Sequence, residues 1–288
     1  MRPWSSLIVL SLSAKSQPGQ PTSSAAEYCK GALGTRARAR KRMTAEDNQR
    51  MSKHIAAIAG VIDHAILDPS LTDAAMEKEL EFARDNALAA VFIKPYAVTL
   101  AADILQDCPT AVGTVVGFPQ GCTPTDIKVH ETHLYCARGA TEIDMVVPIG
   151  KVLGEEWSSV EQEFERMRAA THQHAAVLKV IFETDYIHTE QHLRMLCRLC
   201  SECEVDYVKT STGFAYTKRD NGSYASDGAR DRDIEFMRRH CEPEVKVKAA
   251  GGIRTLERLL RLRELGADRI GTSSTKAILD EARTNGYS

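Results

Sequence analysis

Residues 206–213 read DYVKTSTG, a short strand-like run that carries one lysine and ends in a glycine turn. Seven other apolar runs of this kind recur at intervals of about 30 residues, and segments with helical periodicity separate them. In chain order they are VIDHAIL (61–67), AAVFIKP (89–95), AVGTVVGFP (111–119), EIDMVVPIG (142–150), LKVIFET (178–184), VKVKAAGG (245–252) and ADRIGTSS (267–274). This alternation is typical of βα units, and eight units are the number that closes a parallel barrel.

We therefore predict an α/β protein with a single (βα)₈ TIM barrel over residues 48–288, and a doubly wound open sheet is the alternative. An extra helix is predicted near residues 48–59, before the first strand. Ser70 and Thr72 are candidate start signals for the helix that follows the first strand, and Thr123 with Pro124 can cap and start a later one. The polar interval 215–226 contains glycine and has no periodicity, so we predict a loop there.

The N-terminal segment differs from the rest of the chain. The net charge of the whole chain is only -2, yet residues 1–43 contain eight Lys or Arg and the single acid Glu27. We predict a disordered or targeting extension over residues 1–47. Its composition suits an organellar transit peptide better than a secretory signal, and an untargeted extension is also consistent with it. We expect a cytoplasmic protein, with mitochondrial import as the alternative.

Two partner classes are not expected. No apolar run has the length that a membrane span needs, and the basic run at residues 36–42 lacks the interleaved aromatic residues of a nucleic-acid site. Cys197, Cys200 and Cys203 recur at the spacing of an apolar helical face, and no fourth ligand follows them. We predict buried free thiols and no metal site.

Charged residues inside strands are the main functional signal. Strands of a closed parallel barrel are buried on both faces, so a charge there is costly unless it is paired or used. The predicted strands nevertheless contain Glu142, Asp144, Lys179, Glu183, Lys209, Lys246 and Lys248. An internal ion-pair network without chemistry would explain any one of them. Several on different strands indicate a site at the C-terminal ends of the strands.

Lysines and a carboxylate in such a setting suggest Schiff-base chemistry. Burial among other cations favours a neutral amine, which is the form that attacks a carbonyl. Asp144 would then transfer protons, directly or through water. The spacing of the residues does not show which lysine attacks.

The last three strands end in turns that offer backbone N–H groups and hydroxyls at helix N-termini. Barrels often bind phosphate in this region, because helix dipoles favour negative charge there. We therefore expect a phosphorylated substrate, bound by Thr212, Gly213, Gly251, Gly252, Ser273 and Ser274.

From Val61 to Ser274 the chain resembles the deoxyribose-phosphate aldolase family. The matching motifs are GTVVGFPQG (113–121), K-x-x-E (128–131), GATEIDMVVPIG (139–150), LKVIFET (178–184), DYVKTSTGF (206–214), VKAAGGIRT (247–255) and GADRIGTSS (266–274). The resemblance implies that Lys209 forms the Schiff base, that Lys248 is the cationic neighbour favouring its neutral form, and that Asp144 relays protons. Asp63, Lys179 and Glu183 are expected to form a supporting network.

The implied reaction is reversible cleavage of 2-deoxy-D-ribose 5-phosphate to D-glyceraldehyde 3-phosphate and acetaldehyde, without a metal or an organic cofactor. The expected partners are therefore a phosphorylated sugar and an aldehyde, and the sequence is compatible with a homodimer. A related class I aldolase with another aldehyde pair and a catalytically silent sugar-phosphate-binding barrel are the alternatives.

The chain departs from the family pattern at several positions. Phe92 and Lys94 stand where the family commonly has Cys and then Asn or Tyr, and Ala65 and Asp68 stand where Thr and Lys are common. Phe214 follows TSTG, where other members have a phosphate-facing lysine. We expect backbone donors to compensate, with Lys218 or Arg219 of the 215–226 loop as candidate sources of the missing charge. Tyr287 is a candidate for a mobile C-terminal tyrosine near the imine.

Overall fold

A computed structural model describes residues 45–284. The predictions for residues 1–44 of the N-terminal extension and for Tyr287 lie outside the described residues. Within residues 45–284, no helix is both long enough and apolar enough to cross a membrane.

Eight parallel strands form a closed barrel, as the sequence predicts. The strands are β1 (Ile62–Ile66), β2 (Ala90–Ile93), β3 (Ala111–Val116), β4 (Glu142–Val146), β5 (Val177–Ile181), β6 (Tyr207–Lys209), β9 (Lys246–Ala250) and β10 (Arg269–Thr272). Going around the barrel from β1, the neighbours are β10, β9, β6, β5, β4, β3 and β2, and β2 pairs with β1. The alternative of an open sheet is wrong, because β1 and β10 pair in parallel and close the ring.

Helices cover the outside of the barrel, and the apolar core lies between them and the strands. They are α1 (Ala45–Ala59), α2 (Asp73–Asp85), α3 (Val98–Leu105), α4 (Thr125–Ala137), α5 (Ile149–Leu153), α6 (Trp157–His172), α7 (Glu190–Glu202), α8 (Asp231–His240), α9 (Leu256–Glu264) and α10 (Thr275–Thr284). A 3₁₀ turn, Pro95–Ala97, precedes α3.

Local signals at the helix starts have mixed outcomes. The extra helix before the barrel is confirmed as α1. Thr72 caps α2, because its hydroxyl accepts a hydrogen bond from the Ala75 backbone N–H at 3.3 Å. Thr123 does not cap α4, which begins one residue after Pro124 without a side-chain cap.

The cysteine spacing is confirmed as a helical face. Cys197 and Cys200 are buried on α7 and Cys203 ends it, and all three are free thiols. Burial raises the pKa of the Cys200 thiol well above its usual range, so this thiol is unreactive. Among residues 45–284, no group of three or more His, Cys, Asp or Glu is arranged to hold a metal ion.

The 215–226 segment lies between β6 and α8, where we predicted a loop, but it is not irregular throughout. It contains a small antiparallel hairpin, β7 (Thr217–Lys218) and β8 (Tyr224–Ala225), outside the barrel sheet. Asp220 and Asn221 form the turn, which the Gly222 N–H closes by donating to the Arg219 carbonyl at 2.9 Å, and Gly222 has a left-handed φ of 80°. Asn-Gly is a strong hairpin signal, so the sequence contained the information that the prediction missed.

Candidate active site

Two lysines and one aspartate meet inside the barrel. Lys209 and Lys248 are register partners on β6 and β9, so their side chains lie at the same level of the barrel. The Lys209 Nζ is 2.7 Å from the Asp144 Oδ2, and the Lys248 Nζ is 2.8 Å from the same oxygen. All three side chains are buried, and Asp144 is completely so. The structure thus brings together the three residues that the sequence predicts to be catalytic.

Two of the three residues of the predicted supporting network lie directly beside this group. The Lys248 Nζ forms an ion pair with Asp63, at 2.7 Å from its Oδ2. Lys179 contacts Glu142, and its Nζ lies 3.5 Å from Asp63 Oδ2 and 3.7 Å from Asp144 Oδ1. Lys179 therefore connects the three luminal carboxylates at their centre.

Arg269 also belongs to this network, which the sequence analysis did not predict. Its guanidinium contacts Asp63 and lies 3.0 Å from Glu142. Glu142 was recognised only as a charge within a strand. The available signal was an arginine at the start of the last strand, but its partners come from β1 and β4 and are remote in sequence.

Our prediction that Glu183 belongs to the supporting network with Lys179 is wrong. Its carboxylate accepts from the Thr212 backbone N–H at 3.2 Å and contacts the Thr212 hydroxyl, rather than Lys179. Burial raises the pKa of Glu183 to about 7, against the opposing effect of these hydrogen bonds. Glu183 thus holds the turn after β6. It leaves the strand alternation because β5 ends at Ile181 and Glu183 has a left-handed φ of 56°.

The luminal network contains one more potential cation than it has carboxylates. The potential cations are Lys179, Lys209, Lys248 and Arg269, and the carboxylates are Asp63, Glu142 and Asp144. An uncompensated buried charge is costly, so this composition favours one neutral lysine amine.

The pKa shifts within the network agree with this count. Burial lowers the pKa of Lys248 to about 8, although Asp144 and Asp63 oppose the shift. Burial alone would raise the pKa of Asp144, but the ammonium groups of Lys209, Lys248 and Lys179 hold it below its usual value. The pKa of Lys179 is raised well above its usual value because three carboxylates outweigh its burial. Asp144 and Lys179 therefore stay charged, and Lys248 is poised to titrate.

A cavity of about 520 Å³ opens above the lysines. Lys209 and Lys248 line one part of it, whereas Asp144 and Lys179 lie outside its lining. The lining also contains every residue that we predicted to bind phosphate, namely Thr212, Gly213, Gly251, Gly252, Ser273 and Ser274. The predicted nucleophile and the predicted anion site thus share one cavity.

Glycine is required in the predicted anion site. Gly251 has a φ of 97°, and a Cβ there would lie 2.7 Å from the Gly228 Cα. Gly213 and Gly252 also adopt left-handed conformations, which glycine alone adopts readily. The Ser274 N–H donates to the Thr272 hydroxyl at 2.9 Å, so this group is already occupied.

A cation that we did not predict lines this part of the cavity. Arg254 lines the cavity and follows Gly252 and Ile253 directly. The motif GGIRT contained it, but nothing in the pattern indicated that its side chain faces the cavity. By contrast, neither Lys218 nor Arg219 lines the cavity. Arg219 pairs with Asp227 at 2.6 Å, which already satisfies its charge.

His64 and Glu79 also line the cavity and were not predicted as site residues. The His64 ring connects three elements: its Nε2 lies 3.0 Å from Glu79 Oε2 on α2, and its Nδ1 lies 2.8 Å from the Thr275 hydroxyl on α10. His64 therefore ties β1 to the start of the helix that follows Ser273 and Ser274.

The departures from the family pattern fall in different places. Ala65, Asp68, Phe92 and Phe214 line the cavity. Lys94 does not line it. Its Nζ donates to the backbone carbonyls of Asp68 and Leu71, so it secures the loop after β1.

Comparisons with known proteins agree with the motif resemblance. The sequence model for the DeoC/LacD family aldolases matches residues 42–281. A deoxyribose-phosphate aldolase of Thermococcus gammatolerans is 40% identical over 228 residues, covering 78% of this chain and 96% of that protein. One from Rhodopirellula baltica is 39% identical over 226 residues, covering 78% and 89%.

Solved structures extend the agreement to the fold. A structure described as QR15, an aldolase, is 34% identical with a TM-score of 0.70, covering 78% of this chain and 95% of that one. A tetrameric deoxyribose phosphate aldolase from Aeropyrum pernix has a TM-score of 0.71 at 24% identity over 84% of this chain and all of that one, and it supports the fold alone. With the family model covering most of its length and relatives near 40% identity, the chain belongs to the DeoC/LacD family of aldolases.

Proposed function

We propose that this protein is a deoxyribose-phosphate aldolase that reversibly cleaves 2-deoxy-D-ribose 5-phosphate to D-glyceraldehyde 3-phosphate and acetaldehyde. The observation that carries the proposal is the pair of lysines on one carboxylate oxygen: Lys209 and Lys248 both contact Asp144 Oδ2 within 2.8 Å at the base of the cavity. The names of the relatives agree with it.

In the proposed mechanism Lys209 is the nucleophile. Its neutral amine attacks the C1 carbonyl of the open-chain sugar, and loss of water gives a protonated imine. The C3 hydroxyl then gives its proton to Asp144, directly or through water, the C2–C3 bond breaks, and its electron pair moves into the imine. Glyceraldehyde 3-phosphate leaves as the aldehyde, and a two-carbon enamine stays on Lys209. Lysine is the electron sink, so the proposal needs no cofactor.

Asp144 completes the cycle in this proposal. It relays a proton to the enamine carbon, directly or through water, and hydrolysis of the resulting imine releases acetaldehyde. Its Oδ1 is buried and has no hydrogen-bond partner among the described residues, so it can accept one from a water molecule. Lys248, as the second cation on Asp144, favours the neutral form of the Lys209 amine.

The substrate phosphate is proposed to bind at the other part of the cavity. Backbone donors near Gly213, Gly252 and Ser273 would approach it closely, because glycines leave the backbone open. Arg254 would add the positive charge that Phe214 cannot supply.

A coupled assay that follows glyceraldehyde 3-phosphate release from deoxyribose 5-phosphate tests the function. Borohydride reduction in the presence of acetaldehyde tests the nucleophile, since it should leave a stable ethyl group on Lys209. Lys209→Met should abolish both. Turnover without any trapped adduct would contradict the Schiff-base mechanism, and trapping without turnover of deoxyribose 5-phosphate would contradict the substrate.

A second candidate is a class I aldolase of the same mechanism that uses another aldehyde pair. Ala65, Asp68 and Phe92 favour testing it, because they line the cavity where the family commonly has other residues. A panel of aldehyde acceptors and sugar phosphates, compared by kcat/KM, separates the two candidates.

Three further predictions from the sequence concern the whole chain. We propose that residues 1–47 form an extension to the barrel of 48–288, that the protein is a homodimer, and that it is cytoplasmic. Light scattering tests the dimer against a tetramer, the state named for the Aeropyrum pernix protein. Deletion of residues 1–47 should leave turnover unchanged, and imaging of a C-terminal fluorescent fusion distinguishes the cytoplasm from mitochondria.

A further inference from the structure

One aromatic ring lies among the three lysines of the barrel interior. The centroid of the Phe92 ring is 3.5 Å from the Lys248 Nζ, 4.4 Å from the Lys179 Nζ and 5.9 Å from the Lys209 Nζ. Phe92 is only 2% exposed and lines the cavity. A cation within about 6 Å of a ring centroid, above the face, is attracted by the ring quadrupole. The shortest of these contacts is the one to Lys248.

Packing fixes the position of this ring independently of the lysines. Phe92 on β2 is the register partner of Gly113 on β3. A Cβ at Gly113 would lie 2.5 Å from the Phe92 Cζ, so the ring occupies the space that a side chain would need. Ala90 and Val115 pack around it in a small apolar cluster. The ring is therefore a rigid apolar wall against which the lysine heads rest.

Lys248 is the lysine for which such a ring matters most. The charged groups that act on its ammonium come from four other strands: Asp63 from β1, Asp144 from β4, Lys179 from β5 and Lys209 from β6. On β10, Arg269 acts through its contact with Asp63, and Gly271 leaves room for the Lys248 side chain. The two carboxylates raise the pKa of Lys248, and the two neighbouring lysines lower it. Burial then brings the pKa of Lys248 to about 8, so a modest added stabilisation decides its charge near neutral pH.

We propose that Phe92 is a positioning residue that keeps Lys248 protonated and directed at Asp63 and Asp144 through the face of its ring. This inference rests on the proposed function, because the charge of Lys248 matters there through Lys209. The ring is proposed to make no contact with the reacting bond. It acts on the reaction only through Lys248.

A series of fluorinated phenylalanines at position 92 tests the proposal without changing the shape of the side chain appreciably. Fluorine withdraws electrons from the ring and weakens its attraction for a cation. The series is phenylalanine, then the mono-, di- and trifluoro analogues, together with Phe92→Leu. The readouts are the pH profile of kcat/KM and an NMR titration of the Lys248 ε-methylene, assigned with Lys248→Met. The titration does not depend on turnover.

We expect the Lys248 titration and the basic limb of the profile to move to lower pH stepwise with fluorination. Phe92→Leu should shift both by about one pH unit, given the usual strength of a desolvated cation–π contact. The same analogues at Phe164, a buried ring on α6 without a lysine or arginine contact among the described residues, are the matched control and should shift neither.

The outcomes separate the inference from the proposed function. A Lys248 titration that does not move across the series would overturn the role of Phe92. An equal shift in the Phe164 series would do the same, because the effect would then be a general one. If the wild-type protein neither turns over deoxyribose 5-phosphate nor forms a trapped adduct, the proposed function fails, while the NMR titration still tests the contact between Phe92 and Lys248.

Discussion

Lys179→Met tests whether the centre of the luminal network serves stability rather than chemistry. Lys179 is fully buried, contacts Glu142, and reaches Asp63 at 3.5 Å and Asp144 at 3.7 Å. Methionine retains most of the side-chain length and removes the charge. Breaking a buried ion pair by removing one partner commonly costs about 3–5 kcal/mol.

The expected loss lies at the lower end of that range, because every carboxylate keeps another cation. Asp63 keeps Lys248 at 2.7 Å, and Glu142 keeps Arg269 at 3.0 Å. A loss of about 3 kcal/mol lowers the Tm of a domain of this size by roughly 6–12 °C. Lys179 does not line the cavity. We therefore expect kcat below the new Tm to fall by no more than about tenfold, or ~1.4 kcal/mol of activation free energy.

Thermal unfolding followed by circular dichroism, together with the coupled assay, measures both effects. Lys246→Met is the matched control, since Lys246 is an exposed lysine on β9, and its loss should change stability by no more than about 0.5 kcal/mol. Lys209→Met is the catalytic comparison. Two results would contradict a role in stability: a Tm of Lys179→Met equal to that of Lys246→Met, or a normally folded Lys179→Met variant that is as inactive as Lys209→Met.

Three other perturbations have expected outcomes. Asp144→Asn should bind substrate but lose on the order of 10²-fold or more in kcat, the usual size of a general acid/base effect, and a near-normal rate would remove Asp144 from the mechanism. Arg254→Ala should raise the KM for deoxyribose 5-phosphate by roughly 10–100-fold through loss of a charge-assisted hydrogen bond, with no change in the KM for unphosphorylated deoxyribose. Arg219→Ala is the control and should leave both KM values unchanged. Equal effects of Arg254→Ala on both substrates would place Arg254 outside the phosphate site. Glu183→Gln should become more stable relative to the wild type as pH rises from about 4.5 to 7. The Glu183 carboxyl, whose folded pKa is raised to about 7, contributes stability below its unfolded pKa and loses it as pH rises, whereas Gln does not titrate. Calorimetry at pH 4.5 and 8 measures this, and an equal Tm difference between the two proteins at both values would contradict it.

Much of this molecule was predictable because its signals are local. Eight strand-like runs with helical segments between them determine a βα barrel. Thr72 marks the start of α2 through a hydrogen bond to a residue only three positions away in the sequence. The luminal lysines were also predictable, since a charge in a doubly buried strand needs a partner or a use. Lys209 and Lys248 could be found for that reason before their common partner was known.

Other features depend on where the closed barrel places distant residues. Arg269 meets Asp63 because β10 pairs with β1, and Glu142 reaches it across the lumen. Glu183 turns to Thr212 because the chain adopts a left-handed conformation just after β5 ends, and strand alternation no longer applies there. The local sequence pattern alone does not determine which partners Arg269 and Glu183 contact.

The same division applies to the cavity. The sequence by itself determined the barrel, the lysines and the glycine-rich turns, because periodicity, burial and glycine conformation are properties of short segments. Only the tertiary structure decided that Arg254 lines the cavity while Arg219 pairs with Asp227, and that the Phe92 ring lies against Lys248. These contacts join elements that are far apart in the chain, and their geometry follows from closure of the barrel and from side-chain packing, which no local pattern specifies.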